Sequence, residues 1–188
     1  MPTQKEKMLA GDLYDPSDPE LVNDRIIART FLRQFNHSKE DQLEFRQQVL
    51  KRLIVSQGEG LWIEPPFFCD YGYNINIGNK VYFNFNCTIL DVMRVSIGDN
   101  VLFGPSVQIY TAMHPMNWQE RASGIEFARP VEIGSDVWMG GGVIICPGVA
   151  VGNRTVIGAG SVVTRDIPDD VFAAGNPCRP LKDLNIRR

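Results

Sequence analysis

The chain has 188 residues, 44% of them hydrophobic, and a formal net charge of −3. That is the size of one ordinary domain with enough apolar content for a core, and its 19 Lys plus Arg are scattered among 22 Asp plus Glu, which excludes the concentrated basic face that nucleic-acid binding requires. The polar first residues contain no apolar h-region and no stretch approaches the ~18 apolar residues of a membrane span, so a soluble cytoplasmic protein is expected.

Residues 1–57 read as a helical segment. Ser17-Asp18-Pro19-Glu20 is a start signal, with Asp18 as N-cap and Pro19 at the first helical position, where its missing N–H costs nothing. Leu21, Ile27, Ala28, Phe31, Leu32 and Phe35 recur at helical spacing until Asn36-His37 breaks the pattern. A second helix is predicted with Ser38 as its cap, Leu43, Val49, Leu50, Leu53 and Ile54 as its apolar stripe, and Gln57-Gly58 as its end.

From residue 58 to 188 helical periodicity gives way to a six-residue repeat: aliphatic, Gly, polar, any, small or β-branched, any. Its cleanest run places Ile133, Met139, Ile145, Val151, Ile157 and Val163 at the aliphatic position and Val137, Val143, Val149, Thr155, Ser161 and Ile167 at the fifth. Earlier runs begin at Ile97, Phe103 and Ile109 and at Ile77, Phe83 and Ile89. One such unit buries nothing alone, so coils must stack around a shared interior, which predicts a mainly β fold, a parallel β-helix. Gly78, Gly98, Gly104, Gly134, Gly140, Gly152 and Gly158 follow the aliphatic positions and are expected to relax the corners. Cys69, Cys87, Cys146 and Cys178 lack the close pairs of a zinc or redox motif and are expected as buried free thiols.

The repeat lapses over residues 111–130 and resumes in register, so a loop is inserted between coils. Long loops on a rigid scaffold often carry function. His114 stands at the root of this one, and imidazole is the side chain whose ordinary pKa suits a base at neutral pH. The other of the two histidines, His37, lies between the predicted helices and reads as structural.

Residues 64–75, 84–86, 109–115, 137–142 and 173–179, together with Lys5-Glu-Lys-Met-Leu-Ala-Gly11, resemble the maltose and galactoside O-acetyltransferases, a likeness that covers nearly the whole chain. The resemblance implies a left-handed β-helix, a homotrimer, acetyl-CoA as co-substrate with no metal, and a small sugar as acceptor. It implies that His114 is the catalytic base and that Asn84 bonds the acceptor, with Tyr82, Asp70 and Asp91 at neighbouring pocket positions. It places Trp138 beside the cofactor arm and the Gly141 N–H at the thioester oxygen. Ala159, Thr164 and Arg165 would contact the cofactor along the groove, and Arg179 and Lys182 would meet its phosphates.

The chain also departs from the galactoside pattern. Val92 stands where those enzymes carry a second acid, and Glu126 replaces an apolar residue of their acceptor pocket, as in the maltose branch. A glucose- or maltose-like acceptor is therefore expected. A galactoside or xenobiotic acetyltransferase on the same scaffold, or a trimeric β-helix that has lost activity, stands as the alternative. Two histidines cannot supply the three ligands of a zinc enzyme such as a γ-class carbonic anhydrase.

Overall fold

In a computed structural model, which describes residues 1–184, the six-residue beat becomes a stack of triangular coils. The end of the predicted C-terminal tail, 185–188, lies outside the described residues. Three parallel sheets form the faces of a β-helix of about six turns. The first face carries Ser56–Gln57, Ile75–Ile77, Val95–Ile97, Val131–Ile133 and Ala150–Val151. The second runs from Trp62–Ile63 through Tyr82–Phe83, Leu102–Phe103, Trp138–Met139 and Val156–Ile157 to Val171–Ala174, with Arg179–Asp183 folded back antiparallel at its end. The third holds Phe67–Cys69, Cys87–Leu90, Gln108–Tyr110, Ile144–Ile145 and Val162–Val163.

Every aliphatic residue of the three runs and every fifth-position residue of the run from Ile133 is buried, down to the hydroxyls of Thr155 and Ser161. Both hydroxyls donate to backbone carbonyls, of Pro168 and Gly158 respectively. In the upper coils the interior is aromatic: Phe83 stacks on Phe103 with centroids 4.2 Å apart, and Phe67 meets Phe83 edge-on.

The glycines do something other than relax corners. The left-handed torsions at the corners fall instead on residues such as Lys80, Asn100, Asp136 and Arg154, where short polar or long solvated side chains accept φ near +55° to +60°. The repeat glycines sit where the next coil comes closest: a Cβ on Gly134 would lie 2.7 Å from the Asn153 nitrogen, and one on Gly140 would lie 2.6 Å from that of Ala159. Their role is vertical clearance.

The N-terminal segment forms three helices, α1 (Gln4–Ala10), α2 (Pro19–Asn36) and α3 (Leu43–Leu53). Asp18 caps α2 through the Glu20 N–H, and Pro19 opens it, as the sequence predicts. Ser38 does not cap α3. Its hydroxyl donates to the Phe35 carbonyl and accepts from Arg46, and α3 begins at Leu43 behind Gln42 with no side-chain cap. The helix also ends earlier than predicted, because Ser56–Gln57 already pair with Asn76 and Ile77 as the first rung of the solenoid. Leu32, Phe35, Val49, Leu50, Leu53 and Ile54 share one core with the coil residues Ile63, Phe67 and Phe83, so α2 and α3 plug the open end of the prism. Ile27 and Leu43, assigned to the apolar stripes, are exposed. The four cysteines are free; Cys69, Cys87 and Cys178 are buried and Cys146 partly so. No helix among the described residues is long and apolar enough to cross a membrane.

Gly134→Ala, away from the inserted segment, should force two coils apart. We expect a loss of about 1–3 kcal/mol in urea unfolding, the usual cost of overpacking, with the far-ultraviolet spectrum of the folded state unchanged.

Candidate active site

The corner between the third face and the first is built by chain segments far apart in sequence. The inserted segment leaves the solenoid there as an arm with its own secondary structure, not the bare loop its sequence predicts. Ala112–Met113 pairs antiparallel with Phe127–Ala128, and a short helix, α4 (Trp118–Ala122), crosses the tip. The root is pinned by Thr111, fully buried, whose hydroxyl donates to the Leu90 carbonyl and accepts from the Met93 N–H. Arg121 reaches back from α4 to the carbonyls of Pro115 and Met116, which braces the chain just after His114.

The register that sets Met113 opposite Phe127 brings His114 and Glu126 together one step further out. His114 Nε2 lies 4.0 Å from Glu126 Oε1, with the imidazole half exposed and the carboxylate mostly covered. The other carboxylate oxygen, Oε2, accepts a 2.6 Å hydrogen bond from Tyr14. Tyr14 is buried and exchanges both backbone hydrogen bonds with Glu126, so the N-terminal segment adds an isolated rung to the arm. Burial first, then the bond to Glu126, pushes the Tyr14 phenol far above its ordinary range, so it stays a donor at any working pH. Met8, Tyr14, Leu21, Tyr71, Val92 and Ala128 make a second small core beneath this corner.

Asp70 and Asp91 lie at the same corner in different roles. Asp70 is half buried; burial raises its pKa, the guanidinium groups of Arg25 and Arg29 on α2 pull it down, and Glu126 pushes it up. Arg25 itself donates to the Tyr71 hydroxyl and the Pro16 carbonyl. Asp91 is fully buried, and this corrects its assignment to acceptor contact. Its carboxylate accepts from the N–H groups of Asp70, Tyr71 and Gly72, at 2.9, 2.9 and 2.7 Å. With no exposed surface and three backbone donors, Asp91 shapes the wall that presents Asp70. Burial pushes its pKa up to about 7 against the pull of those N–H groups.

The remaining predicted residues stand elsewhere on the prism. Tyr82 points out from the second face and Asn84 lies at the corner between the second and third faces, with Gly141 and Ala159 stacked along that same edge. The whole third-face strand Cys87–Leu90 separates Asn84 from Asp91, about 13 Å at ~3.3 Å per residue. One chain therefore does not bring Asn84 and His114 together: Tyr82 lies beside Asn84 at the end of its strand, whereas Asp70 and Asp91 stand at the corner that carries the arm. Gly140 and Gly142 spend their N–H groups on the Ile157 and Pro105 carbonyls, whereas the Gly141 N–H enters no backbone hydrogen bond among the described residues. Trp138 is more than half exposed, in an outward column with Trp62, Tyr82 and Leu102. Thr164 and Arg165 are exposed just after the last third-face strand, and Arg179 and Lys182 lie on the terminal antiparallel strand. Tyr14 and Arg25 were not legible as site residues, since nothing in their local pattern points across the chain.

Coils of this period with chemistry gathered on their corners define a hexapeptide-repeat transferase. Residues 130–165 match the family model described as bacterial transferase hexapeptide (six repeats), and residues 7–58 match the maltose acetyltransferase hexapeptide capping motif. The chain is 43% identical to galactoside O-acetyltransferase of Escherichia coli over 97% of its own length and 90% of that protein's. It superposes on a maltose O-acetyltransferase from Clostridium difficile with a TM-score of 0.97 at 49% identity, covering 98% of each chain. A galactoside acetyltransferase solved with coenzyme A matches at a TM-score of 0.95 and 43% identity, covering 100% of this chain and 93% of that one. The protein belongs to the maltose and galactoside O-acetyltransferase family.

Asp91→Ala would strand three backbone donors in the core of this corner. Each buried unsatisfied group costs about 1–3 kcal/mol, so a loss of about 3 kcal/mol or more is expected in chemical denaturation.

Proposed function

We propose that this protein is an acetyl-CoA-dependent O-acetyltransferase that acetylates a hydroxyl of a small sugar, glucose- or maltose-like, with His114 as general base. The observation that carries the reading is the imidazole of His114 held beside Glu126 on a braced arm, in a chain whose family transfers acetyl groups to hydroxyls. The similar galactoside acetyltransferase solved with coenzyme A supports the donor.

On this reading neutral His114 takes the proton of the acceptor hydroxyl through Nε2, and that oxygen attacks the thioester carbonyl carbon. The free Gly141 N–H faces the carbonyl oxygen and stabilises the negative charge that develops on it. As the carbon–sulfur bond breaks, His114 returns the proton to the departing sulfur, so no covalent enzyme intermediate is needed. Trp138 flanks the pantetheine arm, Ala159, Thr164 and Arg165 line its groove, and Arg179 and Lys182 supply cations for the phosphates. The free thiols fit a reducing compartment, where acetyl-CoA is also found, and we assign the protein to the cytoplasm.

The separation of His114 from Asn84 and Gly141 on one prism requires two copies to complete each site. The outward column of exposed Trp62, Leu102 and Trp138 with the half-buried Tyr82 offers the apolar surface for that contact. The assembly proposed is a homotrimer with three shared sites.

His114→Ala should lower kcat by roughly 10²–10⁴-fold, the range for loss of a general base, with acetyl-CoA affinity nearly unchanged. Full turnover by the variant in a thiol-release assay would remove His114 from the mechanism. Sedimentation equilibrium should give three times the 21.1 kDa chain mass; a stable, active monomer would refute the shared site.

A further inference from the structure

We propose that Tyr14 and Glu126 form one recognition unit that selects acceptors presenting a second free hydroxyl beside the one that is acetylated, with Tyr14 as its positioning residue. The inference rests on the sugar-acetylating reading above and adds a requirement that the reading does not contain.

Glu126 has two oxygens in unlike surroundings. Oε2 is occupied by the buried Tyr14 hydroxyl at 2.6 Å. Oε1 is turned toward His114 Nε2 across 4.0 Å, too far for a direct hydrogen bond between them. With the imidazole neutral and its proton on Nδ1, as a base acting through Nε2 requires, both atoms are acceptors, and two acceptors 4.0 Å apart call for two donors. A single hydroxyl satisfies one of them. Two hydroxyls on adjacent or next-but-one carbons satisfy both, the reacting one on Nε2 and its neighbour on Oε1. A partly covered carboxylate left without a donor pays desolvation for nothing, and that penalty is the source of selectivity.

Tyr14 is what makes the pocket discriminate. Its paired backbone bonds with Glu126 and its hydroxyl act on the same residue from two directions, fixing which oxygen faces the base. Its seat in the core with Met8, Leu21, Tyr71 and Ala128 keeps the ring in place when only the hydroxyl is removed. Without that hydroxyl the carboxylate has two free oxygens and can turn away from the base. Asp70 offers another carboxylate at the same corner, but burial raises its pKa against the pull of Arg25 and Arg29, and only Glu126 has an oxygen turned toward His114.

The test uses the full-length enzyme with acetyl-CoA and glucose, the position of acetylation being read from the product by NMR. kcat/KM is then measured for glucose and for its monodeoxy analogues. Wild type should prefer glucose about tenfold or more over the analogue lacking the hydroxyl neighbouring the acetylated one, as expected of a hydrogen bond to a charged group. Tyr14→Phe should cut that preference to about threefold or less while turnover of the deoxy analogue changes little. Glu126→Met should abolish the preference, and adding Tyr14→Phe to it should have no further effect on the ratio. A Tyr14→Phe variant that slows all acceptors equally would reduce Tyr14 to a structural residue and overturn the proposal, as would a Glu126→Met variant that keeps the preference. If wild type acetylates no sugar at all, the sugar reading itself fails and this proposal falls with it. That result is distinct from sugar turnover with an unmoved ratio.

Discussion

The vertical spacing of the coils governs everything else in this molecule. Parallel strands on every face lie about 4.8 Å apart because their N–H and C=O groups bond directly to the coil above or below, as Leu102 does to Val137 and Trp138 to Thr155. At that distance backbone meets backbone at the corners, and only glycine fits where Gly134 passes Asn153 or Gly140 passes Ala159. The faces are then flat and their inward residues locked in columns. The corners, where the chain turns, are where bare N–H groups and an inserted segment can project.

Two corners use this constraint differently. At the edge between the second and third faces, small residues such as Gly141 and Ala159 leave the backbone bare. At the edge between the third and first faces, the N-terminal segment, the Asp70–Gly72 turn and the arm converge on a small core of their own. A fully buried carboxylate, Asp91, knits the turn from within, while a buried phenol, Tyr14, fixes the arm from the opposite end of the chain. The helical segment is therefore no appendage: it plugs the prism with α2 and α3 and furnishes part of the pocket ahead of them.

Much of the scaffold was readable because a six-residue period constrains each position independently and repeats the test many times. Ile133 and Val163 announce the same geometry, so one misread unit changes little. The helix boundaries were less readable, since Ser38 has a hydroxyl suited to capping but finds Phe35 and Arg46 first, and Gln57 carries no mark of a strand. The candidate site was legible where the sequence marks the arm, at whose root the structure sets His114 beside Glu126. It was opaque where one side chain has two plausible uses. Asp91 reads equally as a pocket acid or as an internal clasp, and only the direction of the Asp70, Tyr71 and Gly72 N–H groups decides between them. The contact between Tyr14 and Glu126 spans 112 residues, and no local pattern encodes it.

The arm departs from the solenoid after Gln108–Tyr110 and returns at Val131–Ile133 without shifting the register of any rung. Ile109 still lies over Ile145 and Val131 over Val95, as though the excursion were not there. Closing such a detour costs only about 0.6 kcal/mol for each doubling of its length, and the short antiparallel pair at its root seals it locally. Arm and ladder are thereby separable stretches of chain: the excursion can lengthen, shorten or exchange its polar groups while the rungs beneath it keep their register.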